Sequence, residues 1–188
     1  MNSSSVLSLV LVTLWLPFSP ATAVAAVRQE PPEISPANWI GMKAPEFRLT
    51  GTDGKTHSLD ALVSRGPLIV VWFPKAYTGN VERLLKSADQ AASTLKNHGI
   101  GLVAASCDKP KYLTPFALEK GLNLTILADP TRTTAIQWGA VGTGREIPHR
   151  WAYFIGRDGR IAAIRTDLDA ESTGEKLISK ARELGWIE

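Results

Sequence analysis

The chain has 188 residues, 44% hydrophobic and 21% charged, with no internal repeat or low-complexity tract, which fits one ordinary globular core. Its net charge of +3 comes from basic residues mixed with acids, as in Lys109, Lys111, Glu119 and Lys120, and no basic run alternates with aromatics; a nucleic-acid surface is not expected. The single cysteine, Cys107, excludes an intramolecular disulfide framework.

Residues 6–18 are strongly apolar and end against Pro17 and Pro20, and Ala21-Thr22-Ala23 offers a small-x-small cleavage site. That run is shorter than the ~20 residues that span a bilayer comfortably. The first five residues carry no Lys or Arg, which leaves an uncleaved signal-anchor as the alternative. No cysteine follows the cleavage site, so no lipoprotein anchor is expected. The expected organisation is a signal peptide over 1–23 with cleavage near Ala23 to Ala26, a flexible linker over 24–40, and one domain over 41–188. The mature protein is expected to be periplasmic or extracellular, with no stable membrane span after cleavage.

The domain opens with residues 41–49 and an Asp53-Gly54-Lys55 turn, the pattern of a short hairpin. Residues 67–73 form an apolar run that reads as a strand buried on both faces. Pro74-Lys75-Ala76-Tyr77 follows, and Thr78-Gly79-Asn80-Val81 opens a helix whose apolar stripe is Val81, Leu84, Leu85, Ala88, Ala91, Ala92 and Leu95. A second buried strand is predicted at 100–105, then a helix over 110–120 ended by Gly121. A strand at 124–127 precedes a helix over 130–138 ended by Gly139. A hairpin over 151–166 and a last helix over 170–184, with Gly185 beyond it, complete the chain. Strands alternating with helices predict a three-layer α/β/α sandwich around a central mixed sheet, with the first hairpin as an N-terminal extension. In such a sheet the carboxyl ends of the strands build the site, which is where residues 74–81 and Cys107 fall.

The run from Pro67 to Val81 resembles the active-site segment of the peroxiredoxins, the AhpC/TSA branch of the thioredoxin-like superfamily, whose pattern is Pro-x-x-x-Thr-x-x-Cys. The hairpin around Asp53-Gly54-Lys55 and the stretch His149-Arg150 before the late hairpin resemble the same family, and the likeness covers roughly residues 41 to 185. The resemblance implies thiol-dependent peroxide reduction, with Pro74 as a pocket wall and Thr78 and Arg150 beside the reactive sulfur. Val81 stands where that pattern has the peroxidatic cysteine, Leu84 where it often has a glutamate, and Leu85 at a common position for a resolving cysteine. Valine has no lone pair and no titratable proton. Val81 therefore also reads simply as a core residue at the start of a helix.

Cys107 remains as an alternative nucleophile at the end of the 100–105 strand, or as the source of an intermolecular disulfide; its plain reading is a small, partly buried hydrophobe. Asp108 next to it would raise its pKa. The histidines His57, His98 and His149 have no ligand-like spacing, so neither metal nor cofactor is expected. Ser106, Asp108 and His149 lack a nucleophile-elbow pattern, and Gly139, Gly142 and Gly144 lack the lysine of a phosphate loop. Trp72, Trp138 and Trp151 are expected in the core, Trp39 and Trp186 at its edges. Two functions follow: a non-catalytic homologue that binds a protein partner, or a small anion or peroxide, at the residual pocket, or a one-cysteine peroxidase working through Cys107. A homodimer is compatible with either.

Overall fold

In a computed structural model, residues 36–188 can be described. The expected signal peptide over 1–23, and the part of the expected linker before Pro36, lie outside them. Pro36–Trp39, the end of that linker, forms a 3-10 helix. No helix of the described residues is long and apolar enough to cross a membrane.

Seven strands and five helices follow. The strands are β1 (Arg48–Gly51), β2 (Thr56–Ser58), β3 (Leu68–Trp72), β4 (Gly101–Ser106), β5 (Ile126–Ala128), β6 (Trp151–Ile155) and β7 (Ile161–Arg165). The helices are α1 (Leu59–Val63), α2 (Gly79–Asn97), α3 (Pro110–Glu119), α4 (Thr133–Gln137) and α5 (Thr173–Glu183). One sheet runs β2-β1-β5-β4-β3-β6-β7. Strands β3, β4 and β5 are parallel, and β1, β6 and β7 pair antiparallel, so the sheet is mixed as the pattern predicts. The first hairpin joins it through β1, with Thr50 opposite Ala128 and Gly51 opposite Leu127.

β3 is central and every residue in it is buried, which explains its unbroken apolar run. Alternation sends Ile69, Val71 and Phe73 to one face, where α2, α3 and α5 cover them with Leu84, Phe116 and Leu177. Leu68, Val70 and Trp72 face the other layer, closed by α1, α4 and the aromatic group around Trp138. The Trp138 indole N–H donates to the Pro45 carbonyl at 2.9 Å, and the Tyr153 hydroxyl to the Trp138 carbonyl at 2.6 Å. The predicted α2 stripe is the buried one, with Ala92 at its margin. Gly99, at φ 71, ends α2, and the next amide, Ile100 N–H, returns to the Leu95 carbonyl. Trp151 differs from expectation: it is half-buried at the margin of the core, its ring stacked on His149 with centroids 4.5 Å apart.

Three element boundaries shift for local reasons. The predicted helix over 130–138 begins only at Thr133, because Arg132 is left-handed (φ 63) and the Asp129 carboxylate accepts from Ala135 N–H at 2.8 Å. The last helix begins at Thr173 because Asp169 takes up the Glu171 and Ser172 amides. α1 has no predicted counterpart; five residues carry too little periodicity, although Ser58 caps it by accepting from Ala61 N–H.

α5 approaches α2 closely at Gly174, where an added Cβ would lie 2.3 Å from the Ser87 carbonyl oxygen. The Ser87 hydroxyl donates to the Glu171 carbonyl at 2.7 Å and accepts from Gly174 N–H at 3.0 Å. Gly174→Ala should therefore destabilise the fold by about 1–3 kcal/mol through overpacking. Gly79→Ala, at a first-turn site open to solvent, should be neutral or slightly stabilising, and urea midpoints of the two variants check both.

Candidate functional site

The three parallel strands end together. Trp72 pairs with Ala105 and Ser106 with Ala128, and beyond them Phe73 N–H donates to the Ala105 carbonyl at 3.0 Å and Asp129 N–H to the Ser106 carbonyl at 2.8 Å. This register sets Pro74, Cys107 and Asp129 side by side along one edge. On the other flank of β3, the antiparallel pair Trp72 and Trp151 brings Arg150 to the same end of the sheet.

Two aspartates organise the loops there. Asp108 Oδ2 accepts from Ala76 N–H at 2.7 Å and from the fully buried Ser106 hydroxyl at 3.1 Å. Asp129, itself buried, accepts from Ala135 N–H and, at 3.1 Å, from the Thr131 hydroxyl. Each thus anchors a loop next to a non-glycine residue with positive φ, Tyr77 at 60° beside Ala76 and Arg132 at 63° beside Thr131. These are the two such residues among those described. Backbone of that kind costs about 1–3 kcal/mol and persists only where its surroundings hold it.

Two open clefts lie on either side of Cys107. One, of about 390 Å³, runs from Pro74 and Lys75 across Cys107 to Arg132, Glu146 and Ile147. The other, of about 440 Å³, lies between Tyr77 and Tyr112. The half-buried Cys107 thiol is pushed up to about 12, first by desolvation, then by the negative charge of Asp129; Arg132 opposes the shift and Asp108 adds to it.

Of the residues expected at the site, Pro74 and Cys107 share a cleft. Thr78, Val81 and Arg150 line neither. The Thr78 hydroxyl donates to the Lys75 carbonyl at 3.0 Å, within its own loop. Val81 is 2% exposed and packs into the core with Phe73, Leu84 and Leu85, as a helix-start core residue would. Arg150 is half-buried. Ser106 is bonded to Asp108, while the His149 ring lies on Trp151. No group of three or more His, Cys, Asp or Glu side chains among the described residues is placed to hold a metal ion. Sequence reasoning missed the clamping roles of Asp108 and Asp129; the available signal was an aspartate just past each of two predicted strands, where its carboxylate can take local amides.

A model of the AhpC/TSA family matches residues 40–164. The putative peroxiredoxin bcp of Haemophilus influenzae is 30% identical over 152 residues, covering 77% of this chain and 97% of that protein. Peroxiredoxin Bcp of Escherichia coli is 27% identical over 147 residues, covering 74% and 93%. Among solved structures, peroxidoxin BcpB of Mycobacterium tuberculosis superposes with a TM-score of 0.70 at 20% identity, covering 77% of this chain and 97% of that one. AhpC of Enterococcus faecalis gives 0.71 at 16% identity, covering 79% and 93%. These last two likenesses establish the thioredoxin-like fold.

The environment of Cys107 sets its pH dependence. A raised thiol pKa keeps the group protonated up to strongly alkaline pH, so its alkylation by iodoacetamide should still be accelerating at pH 10. At pH 8 it should run roughly a hundredfold or more below a free cysteine, whose pKa is ~8.5. A rate that levels off near pH 9 would contradict this electrostatic account.

Proposed function

This chain belongs to the AhpC/TSA family of peroxiredoxins, and from that premise we propose that it is an exported member without peroxidase activity of its own, binding a partner protein or a small anion at the carboxyl edge of its sheet. Family chemistry is thiol-dependent reduction of peroxides, and a thiolate is what attacks the O–O bond. The observation that carries the reading is the place of the one sulfhydryl: Cys107, the sole cysteine of the sequence, is half-buried just past β4 and not in the first turn of α2, and burial and the Asp129 charge push its thiol up. Such a group stays protonated at pH 7, where a free cysteine is already thiolate to a few per cent.

Val81 supports the same reading. It stands where the family pattern has its reactive cysteine, at the first turn of α2, and its apolar side chain is part of the core. Thr78 and Arg150 are then inherited scaffold. Export is supported by the apolar run, the prolines and the small-x-small site before Val24.

A second reading keeps the peroxidase and moves its nucleophile. Cys107 lines a cleft with Pro74 and Arg132, and the Arg132 charge favours its thiolate. The sulfur would attack one peroxide oxygen to give a sulfenic acid and release water or an alcohol. One outside thiol would condense with it to a mixed disulfide and water, and a second would release the free Cys107 thiol as the two outside thiols leave as a disulfide.

The two readings part in a peroxide-consumption assay with hydrogen peroxide and dithiothreitol. The non-catalytic reading predicts that the protein and its Cys107→Ser variant consume peroxide at the same rate as dithiothreitol alone. Turnover that disappears in Cys107→Ser would overturn it in favour of the relocated nucleophile.

A further inference from the structure

We propose that the groove between the β3–α2 loop and the first turn of α3 docks an acidic segment of a partner protein; this rests on the partner-binding reading above and names the chemistry of the partner. The groove, of about 440 Å³, is walled by Lys75 and Tyr77 on one side and by Lys109 and Tyr112 on the other, with Cys107 and Asp108 at its base. Its charge is unbalanced. Lys75, Lys109 and Lys111 are exposed and take part in no ion pair among the described residues, whereas Lys86 and Lys120 both pair with Glu82, at 3.1 and 2.9 Å.

The carboxylates that could neutralise these lysines are turned elsewhere. Asp108 accepts from Ala76 N–H and the Ser106 hydroxyl, and Glu119 accepts from the Tyr77 hydroxyl at 3.4 Å. Lys109 and Lys111 flank the start of α3, whose first turn holds no acidic residue, so the helix dipole adds to their positive potential.

The aromatic walls supply the apolar part of recognition. Tyr77 and Tyr112 are 51% and 50% exposed, large rings with a polar tip, the residue type that anchors protein interfaces. The Lys111 ammonium sits 5.0 Å from the Tyr112 ring centroid, which stiffens that wall. Tyr77 is presented by backbone at φ 60, with its ring edge-on to Phe116 at 5.1 Å, so a strained residue is held with half its ring in water. Alternating carboxylates and apolar side chains match such a surface. A nucleic acid matches it less well: a phosphate backbone needs cations along a track, while this cluster is local, with Asp108 at its base and Glu119 and Glu82 close to Tyr77 and Lys120.

Fluorescence anisotropy with a short labelled peptide of glutamate and aspartate, broken by single leucine and phenylalanine residues, tests this on the full chain. Binding should weaken steeply with added salt and fall about tenfold or more in Lys75→Glu with Lys109→Glu. Tyr112→Ala should weaken it several-fold, and the control Lys55→Glu with Lys96→Glu, which reverses the same number of exposed charges elsewhere, should leave it within about twofold. An equal loss in that control, tighter binding of a single-stranded oligonucleotide of matching charge, or no binding of the peptide would each overturn the inference. Peroxide turnover on the same preparations is read separately: its absence together with absent binding removes only the acidic partner, whereas its presence removes the non-catalytic reading whatever the peptide does.

Discussion

Asp108 and Asp129 stand just past the ends of two neighbouring parallel strands and turn their carboxylates inward, and most of what is distinctive at this edge depends on that. Asp108 draws in the Ala76 amide and so holds the loop that presents Tyr77; Asp129 holds the turn that contains Arg132. Both also bear on the thiol between them: burial disfavours a thiolate at Cys107 most, the Asp129 charge adds to that and Arg132 opposes it, with Asp108 contributing least. Fixed anions that complete backbone hydrogen bonding are poor company for a nucleophilic sulfur, which is stabilised by cations and helix N-termini.

On the proposed reading, a peroxiredoxin frame persists without its chemistry, and the packing allows it. The fold needs the parallel β3-β4-β5 core, the long α2 packed on it and the late hairpin, and all of these are present. None of them needs a cysteine in the first turn of α2; an apolar residue there packs better, and Val81 does so with Phe73 and Leu85. The strand ends carry exposed tyrosines beside exposed lysines that no ion pair among the described residues compensates.

The long elements were legible in the sequence because their signals are local. A strand covered on both faces, such as β3, reads as an unbroken apolar run, and α2 declares itself through a stripe at helical spacing. The position of Cys107 beside Pro74 followed from the rule that strand carboxyl ends converge. What stayed illegible depends on contacts that no periodic signal carries: β1 pairing with β5, the left-handed Tyr77, and the late start of α4, set by the Asp129 carboxylate just upstream. The separation of Thr78 and Arg150 from the clefts belongs to the same class: a motif fixes spacing along the chain, but the Thr78 hydroxyl turns to the Lys75 carbonyl, a choice made by the folded loop. The burial of Val81, by contrast, was legible from its place in the apolar stripe of α2.

The central claim is that this is a peroxiredoxin frame whose nucleophile position is held by Val81. Restoring the sulfur tests it most directly, by Val81→Cys in a Cys107→Ser background, following the pH-dependent rate of oxidation by hydrogen peroxide. The N-terminus of a 19-residue helix favours an anion in its first turn, so the account predicts a thiol titrating below ~8.5 and oxidised faster than a free cysteine. A thiol at that position that titrates near the free value and reacts no faster would contradict it, because Thr78 and Arg150 would then not frame that turn as they frame the reactive sulfur in the family pattern.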